Sequence, residues 1–571
     1  MSRAIEPQFT HQITEVTKFF LNSFDQEPLE HPVSTACPAV ATTSFPRHLG
    51  TYILIDDGFE SSLTRKQALY GTGKESARGR RCTHIFAQKP APTASIDWCD
   101  LARVTIDMLP DVALLEIFDF YIDWTGMNAW HTLVHVCRNW RNVVYGSPRC
   151  LDLKLHFSPR VRVRKMLNVW PLLPIIMEAH RLEMLGPQLD RVDNVVAALD
   201  SEHNNRVHQL TLIDISSSQF EKVSPPMQEL FPELSFLDLR IECEINETAP
   251  VVPASFLGGS APRLQTLRLI HIPFPGLPKL LLSASHLVHL DLRRIPHSGY
   301  FSPEAIVTSL SVLTRLNDLV IYFESPRSLP DRTSRRPPPA TRITFPVLTA
   351  LHFKGAGEYF EDLLARIDAP LLNTLTIIFF NQLIFDTPQL TQFIDRTPEF
   401  RTHDKAQLFL SSRQASVALA QSFNRGLELG ISCRRSDWQL SSLAQICTRS
   451  FPRALIPALE RLYIFEDSNW IWQHDNENSQ WLELFHPFTA VKELYISREF
   501  APLVAPALQE LAGGGVMEVL PALQTLFLEE RLSLGPVQEA IETFAAARQH
   551  VGHPITVSRC ERKLSARLSV V

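Results

Sequence analysis

The chain has 571 residues, and its 55 basic and 61 acidic side chains give a net charge of −6 with histidine neutral. Because nucleic-acid-binding domains usually carry a basic face, this balance argues against a nucleic-acid partner. No run of 18 apolar residues occurs and the N-terminus lacks the apolar core of a signal peptide, so we expect no membrane span and a cytoplasmic or nuclear location. The nine cysteines are widely separated and odd in number, which favours free thiols.

Residues 1–100 show neither helical nor strand periodicity, and we predict a poorly ordered N-terminal region. Gly71–Lys74 resembles the end of a phosphate-binding loop, but no serine or threonine follows Lys74. Cys82 and His84 lack a second pair of ligands at zinc spacing. Since no catalytic constellation is found elsewhere either, the sequence predicts a protein without cofactor, metal or enzymatic activity.

Residues 107–153 are predicted to form a compact unit of about three helices. Pro110 suits the first position of a helix, and Asp111 suits the positive end of the helix dipole. Apolar residues then recur at the spacing of one helix face, and the first such stripe consists of Leu114, Ile117, Phe118 and Tyr121. A later helix repeats the pattern with Val136, Trp140 and Val143.

This unit resembles an F-box over the 45 residues from Leu109 to Leu153. The Leu-Pro start and the Val-Cys-Arg-Asn-Trp-Arg segment resemble the two halves of the motif, whereas Val112 and Ala113 stand where the family tends to carry Glu and Leu. The resemblance implies binding to the Skp adaptor and, through it, to a cullin ubiquitin ligase. The implied adaptor-binding residues are Leu109, Pro110, Leu114, Leu115, Ile117, Phe118, Val136, Cys137 and Trp140.

A second interpretation of the same unit stays open. Arrays of repeats need a cap on the terminal repeat, and the apolar stripe of residues 109–153 could pack against the first repeats instead of a partner. Burial of Leu114 and Phe118 inside the protein would favour this interpretation. Cys137 is expected to be a small hydrophobic residue and not a nucleophile.

Residues 154–206 are predicted to be connecting helices, with a helix over 189–199, and residues 207–530 to be a repeat array. Each repeat contains an apolar residue, two variable residues, Leu, one variable residue and an apolar residue. The repeats begin at Val207, Leu234, Leu264, Leu287, Leu316, Leu348, Leu372, Leu459, Val491 and Leu523. Six of them have Pro two positions earlier, in the motifs FPEL, APRL, FPVL, APLL, IPAL and LPAL. Weaker candidates are Lys405–Leu410 and Asn424–Leu429, and residues 531–571 are predicted to be a C-terminal helix and tail.

The spacing within each repeat predicts a strand. Leu267 and Leu269, for example, are two apart and share one face. One such unit cannot bury its apolar face alone, so neighbouring units must stack. The pattern resembles the leucine-rich repeat and implies an α/β fold, an irregular solenoid with parallel strands on its concave face and helices and loops outside. The Asn or Cys that commonly follows the strand is missing from most repeats, and residues 326–342 read as an inserted loop.

Aromatic residues occupy the central variable position of the last three repeats: Tyr463, Tyr495 and Phe527. We predict that they form a column on the concave face, extended by Phe465, that binds a protein target. The alternative is that a C-terminal helix over Val537–Ala547 covers them.

Arg268 and Arg293 lie in neighbouring repeats, with Arg240 close by, and are candidates for a basic spot that binds an acidic or phosphorylated ligand. Isolated surface charges are the more common explanation of such residues. Together, the two regions predict the substrate-recognition subunit of a Skp–cullin–F-box ubiquitin ligase that holds a protein substrate. A leucine-rich-repeat interaction scaffold without a ligase role is the alternative.

Overall fold

The structure is a computed structural model, and its described residues lie within residues 81–570. The described residues are 109–125, 129–146, 153–156, 163, 167–168, 174–180, 189–199, 202–242, 250–325, 342–380, 385–422, 425–433, 436–466, 478–529 and 535–560. The predicted poorly ordered region 1–100 lies outside them, as does the predicted inserted loop apart from Arg342.

Three helices form the N-terminal unit: α1 (Asp111–Thr125), α2 (Ala129–Val136) and α3 (Arg138–Gly146). Each helix contacts the other two. The backbone carbonyl of Pro110 accepts hydrogen bonds from the amides of Ala113 and Leu114 at 2.9 and 3.1 Å, so Pro110 directly precedes the first helical residue, Asp111, and does not occupy the predicted first helical position.

A sixteen-stranded sheet contains most of the described strands, and a separate two-stranded sheet pairs β8 with β10. The strands are β1 (Leu153–His156), β2 (Ile175–His180), β3 (Val207–Ser216), β4 (Phe236–Glu242), β5 (Thr266–Ile270), β6 (His289–Ile295), β7 (Asp318–Phe323), β8 (Ile343–Thr344), β9 (Ala350–Gly355), β10 (Ile367–Asp368), β11 (Thr374–Phe380), β12 (Lys405–Leu410), β13 (Gln414–Ser422), β14 (Arg425–Ser432), β15 (Arg461–Glu466), β16 (Glu493–Ile496), β17 (Thr525–Glu529) and β18 (Thr556–Cys560). All ten predicted repeats supply a strand of the large sheet.

The proline of the repeat motif begins a tight turn in front of the strand. In the motifs that end at Leu234, Leu264, Leu372, Leu459 and Leu523, the leucine amide donates a hydrogen bond of 3.1–3.2 Å to the carbonyl three residues earlier. Proline is favoured at the second position of such a turn because its φ angle is already correct. The leucine then points into the core and the strand follows.

The predicted boundaries of the repeat array are too narrow on both sides. The predicted connecting segment supplies β2, which pairs in parallel with both β1 and β3, as well as the expected helix α4 (Leu189–Ala198). The predicted C-terminal tail supplies β18, which pairs in parallel with β17. β18 stands at one end of the sheet, and β1 and β2 precede the first complete repeat.

The middle of the sheet departs from simple stacking. The strand order here is β11-β14-β13-β12-β15. After β11 the chain leaves two strand positions empty to form β12, and then returns through two hairpins whose strands β13 and β14 fill those positions. β13 pairs antiparallel with both β12 and β14, whereas the other pairings in this sheet are parallel. Short connections produce antiparallel neighbours, since a parallel neighbour requires a longer crossover. The candidate Lys405–Leu410 is confirmed as β12, and Asn424–Leu429 overlaps β14, but the order of these strands was not predicted.

Helices follow most strands on the face that buries the repeat leucines. They are α5 (Ser217–Val223), α6 (Leu277–Leu281), α7 (Pro303–Leu310), α8 (Gly357–Leu364), α9 (Pro388–Arg396), α10 (Ser436–Arg449), α11 (Asn478–Phe485), α12 (Ala501–Glu510) and α13 (Pro536–His550). The leucines of β5 show the alternation: Leu267 and Leu269 are 0 % and 3 % exposed, whereas Arg268 between them faces away from the core. We call the side of the sheet on which Arg268 lies, opposite the repeat leucines, the open face.

Left-handed backbone occurs near the C-terminal ends of three strands. Asp214 in β3, His271 directly after β5 and Arg294 in β6 have φ angles of 56°, 61° and 52°. The strand pairing of β3 and β6 shifts register beside Asp214 and Arg294, which marks bulges at these positions.

Candidate functional site

The residues of the F-box-like motif form the core of the helical unit. Leu114 and Phe118 of α1 are both 0 % exposed, and Trp140 of α3 is 5 % exposed. The rings of Phe118 and Trp140 lie 4.8 Å apart between centroids and are inclined by 57°. Their sequence spacing is therefore explained by packing between α1 and α3.

This burial corrects the predicted adaptor-binding set. Leu114, Phe118 and Trp140 are buried within the protein, so their side chains do not form a docking face. Among the other predicted residues, Pro110 and Val136 are exposed, whereas Leu109, Leu115, Ile117 and Cys137 are partly buried. Val112 and Tyr145 lie outside the predicted set and are 71 % and 41 % exposed. Val112, where the family tends to carry Glu, is the most exposed large apolar residue of the helical unit among those described.

Two further motif residues fix the junction between α2 and α3. The backbone amide of Trp140 donates a hydrogen bond to the Sγ atom of Cys137 at 3.4 Å, so the thiol caps the start of α3. Arg141 donates through Nε to the backbone carbonyl of Val134 at 3.0 Å. Both contacts hold α2 and α3 together at their junction.

The predicted aromatic column is present as a stack of rings on the open face. Tyr463, Tyr495 and Phe527 are in register on β15, β16 and β17. Their ring centroids are 4.3 Å apart at both steps, with interplanar angles of 12° and 7°. Phe465 stacks on Tyr463 at 5.8 Å and contacts Phe409 of β12 at the same distance. We call these five residues the aromatic column.

The rings of Tyr463, Tyr495 and Phe527 are half-buried, while Phe465 is 9 % exposed. The Tyr495 hydroxyl donates to the Glu493 carboxylate at 3.0 Å, and burial with this bond raises the pKa of Tyr495. The helix that could have covered the column, α13, instead packs on α12 and the turn at Leu511–Gly513. The edges of the stacked rings therefore remain on the open face.

The predicted basic spot is instead a ladder of ion pairs. Arg268 donates to Asp291 at 3.0 Å and to Asp238 at 3.3 Å. Arg293 donates to Asp291 at 2.8 Å, and Arg240 binds both oxygens of Asp238 at 3.0 and 2.8 Å. Because every guanidinium faces a carboxylate, the arginines are not a ready site for an acidic or phosphorylated ligand. Asp238 and Asp291 occupy the central variable positions of the repeats before and after that of Arg268. This alternation of acidic and basic residues is the sequence signal that predicts ion pairs across the strands.

The ladder continues into partly buried titratable groups on β7 and β9. The Arg293 guanidinium lies 5.6 Å from the centre of the Tyr322 ring, and burial raises the pKa of that phenol to about 12. Burial, assisted by the charge of Arg293, lowers the pKa of His352 to about 4. His352 is therefore neutral at physiological pH, and this end of the open face presents paired charges and not a basic surface.

Removal of the shared aspartate should destabilise the repeats. Asp291 is 7 % exposed, and Asp291→Ala would remove the carboxylate that Arg268 and Arg293 share in a partly buried site, although Arg268 keeps its contact with Asp238. We expect the free energy of unfolding to fall by about 1–3 kcal/mol in urea titrations. Glu233→Gln is the control, because Glu233 and Arg263 form an exposed pair that should contribute at most about 1 kcal/mol. An equal effect of both substitutions would contradict a structural role of the ladder.

Within the described residues, no helix is long and apolar enough to cross a membrane, and no group of three histidine, cysteine or acidic side chains could hold a metal ion. The candidate sites described above are two surfaces, that of the helical unit and the open face of the sheet.

The leucine-rich-repeat protein LegL7 from Legionella pneumophila is similar to this chain at 11 % identity and a TM-score of 0.23, over 69 % of this chain and 98 % of LegL7. No family model matches the chain, and no curated protein matches it. The chain is a mixed α/β fold with a long, mostly parallel sheet and leucines at repeat spacing, which is consistent with a solenoid like that of leucine-rich repeats.

Proposed function

We propose that this chain is the substrate receptor of a Skp–cullin–F-box ubiquitin ligase. The helical unit would bind the Skp adaptor and the open face would hold a protein target. The aromatic column is the observation that carries the target-binding half, since half-buried aromatic rings are frequent anchors of protein interfaces. The adaptor-binding half rests on the F-box resemblance and on the packing of its motif residues into a three-helix unit. The contribution to ubiquitin transfer would be positional and would require no chemistry by this chain.

A scaffold without a ligase role is the second candidate, and one observation favours it. Leu114 and Phe118 are buried inside the helical unit, so the residues of the motif do not themselves supply a docking face. Under the first candidate, adaptor binding would therefore depend on the exposed apolar residues Pro110, Val112, Val136 and Tyr145.

Co-purification with the Skp adaptor separates the two candidates. We expect tagged wild-type chain to capture the adaptor and a Val112→Asp, Val136→Asp double variant to lose it, because charges on exposed positions would oppose docking without disturbing the core. Val251→Asp is the matched control, since Val251 is 51 % exposed in the repeats. A wild-type chain that captures no adaptor would leave the scaffold as the function.

The target-binding half can be tested separately by comparing captured proteins. A Tyr463→Ala, Tyr495→Ala, Phe527→Ala variant should lose a defined set of partners at least tenfold while it retains the adaptor. Leu282→Ala is the control, because Leu282 is 51 % exposed and follows α6 on the helical side. Retention of all partners by the triple variant would exclude the column as the target-binding surface.

A further inference from the structure

The aromatic column stops at Phe527, although the strand register continues for one more strand. The rings of Tyr463, Tyr495 and Phe527 follow one another at 4.3 Å, and the next residue in this row is Ser558 of β18. Serine has no ring, so the stack ends there. The face of the Phe527 ring that points away from Tyr495 therefore has no stacking partner among the described residues.

Beside this ring face the sheet presents small side chains. β18 stands at the end of the sheet, and its open-face positions hold Thr556, Ser558 and Cys560. Ser558 is partly exposed, as is Phe527. The column thus ends in a step from a large ring down to a serine. A flat group seated above Ser558 would continue the stack by one member.

The charged residues nearest to this step are acidic. The open-face positions of β16, β17 and β18 hold two charged residues, Glu493 and Glu529. The Glu493 carboxylate accepts the Tyr495 hydroxyl, whereas that of Glu529 accepts the backbone amide of Arg498 at 3.3 Å. Within the described part of the chain, no basic side chain forms an ion pair with Glu529. Its negative charge is therefore available to a partner.

Glu529 is within reach of a group seated above Ser558. It follows Phe527 by two residues and so lies on the same face of β17, about 6.6 Å further along the strand. Neighbouring strands are about 4.8 Å apart, which places the α-carbon of Glu529 about 8 Å from that of Ser558. Long side chains bridge such diagonal separations on a sheet.

An arginine side chain satisfies both features of the step. Its guanidinium is planar and stacks on aromatic rings, whose negative faces attract the cation, and it also binds carboxylates. A lysine ammonium is compact and strongly hydrated, so it cannot extend a stack. A further aromatic ring would extend the stack but would leave Glu529 without a partner.

We propose that the end of the aromatic column binds an arginine of the protein target, with the guanidinium stacked on Phe527 above Ser558 and paired with Glu529. This inference rests on the proposed target-binding role of the open face, and it adds the side chain that a target must present there.

Three blocked tripeptides test the proposal on the full chain. Acetyl-Gly-Arg-Gly-amide is compared with its citrulline counterpart, which keeps the planar group but not the charge, and with its lysine counterpart, which keeps the charge but not the plane. We expect the arginine peptide to bind about threefold more tightly than either in saturation-transfer NMR. In a Glu529→Gln variant its advantage over the citrulline peptide should shrink, because the charge partner is lost.

Two variants of β18 test the location of the site. Ser558→Phe should supply a further ring, occupy the position above Ser558 and abolish the preference for arginine. Val557→Phe is the matched control, because Val557 is the adjacent residue and pairs with Leu526 on the helical side of the sheet. The proposal is overturned if the wild-type chain does not prefer the arginine peptide, if Ser558→Phe leaves the preference intact, or if Val557→Phe removes it equally.

The chain's own C-terminal residues are the competing occupant, since Arg562, Lys563 and Arg567 follow β18. A full-length variant with glutamine at these three positions should bind the arginine peptide as the wild type does. Tighter binding would mean that the tail fills the site, which would overturn the proposal. These measurements use neither adaptor nor target. Failure of the peptides with successful partner capture by the column would reject this inference alone, and the reverse result would reject the proposed target-binding role.

Discussion

Replacement of Phe118 by alanine is expected to unfold the N-terminal helical unit while the repeats stay folded. Phe118 is fully buried and its ring contacts that of Trp140 at 4.8 Å, so the substitution removes the centre of the packing between α1 and α3. A buried Phe→Ala change costs about 3–5 kcal/mol, which is a large share of the stability of a three-helix unit. Hydrogen exchange of the amides in α1 and α3 measures the effect directly.

The matched control lies on the opposite face of the same helix. Val112→Ala should change stability by at most about 0.5 kcal/mol because Val112 is 71 % exposed. For adaptor binding the order should be the reverse. When affinity is measured per folded molecule, Val112→Ala should weaken adaptor binding more than Phe118→Ala does. If Phe118→Ala left amide protection intact, the packing described for the unit would be wrong.

Replacement of Arg548 by alanine is expected to release the C-terminal helix α13 from the last repeats. Arg548 is 0 % exposed and donates to the backbone carbonyls of Val516, Pro521 and Leu523 at 3.3, 3.0 and 3.0 Å. Its removal leaves three carbonyls without these donors and creates a cavity. Since each unsatisfied buried group costs about 1–3 kcal/mol, we expect a loss of roughly 4 kcal/mol.

Two further variants show whether the hydrogen bonds cause the loss. Arg548→Met restores most of the volume but no donor, so it should recover only a small part of the stability. Gln549→Ala is the control, because Gln549 is exposed on the same helix. Urea titration combined with hydrogen exchange over residues 535–560 measures all three. Full recovery by methionine would mean that packing, and not hydrogen bonding, holds α13 in place.

The aromatic column shows how much of a site the sequence can predict. The starts at Leu459, Val491 and Leu523 are each 32 residues apart, so equivalent positions had to align on neighbouring strands. Strand alternation then placed Tyr463, Tyr495 and Phe527 together on the open face. The stacked geometry follows from this register, because side chains on neighbouring parallel strands are separated by about 4.8 Å.

Predictions from sequence are wrong where a side chain's role depends on its partner. The F-box resemblance implies an interface role for Leu114 and Phe118, but helix packing buries them in the core. Arg268 and Arg293 look like a basic spot in the sequence, but the strand register brings Asp291 beside both of them. In both cases the residue type was compatible with either role, and only a neighbouring element decided between them.

Local sequence patterns are enough to predict the periodic part of this protein: the helical unit, the ten predicted strands and the aromatic column. These features repeat a local pattern, and local patterns need no knowledge of distant residues. The strand order around β13 and the pairing of charges on the open face emerge only from the tertiary structure. These features arise where elements distant in sequence meet, because the direction of a strand and the partner of a charge depend on what lies beside them.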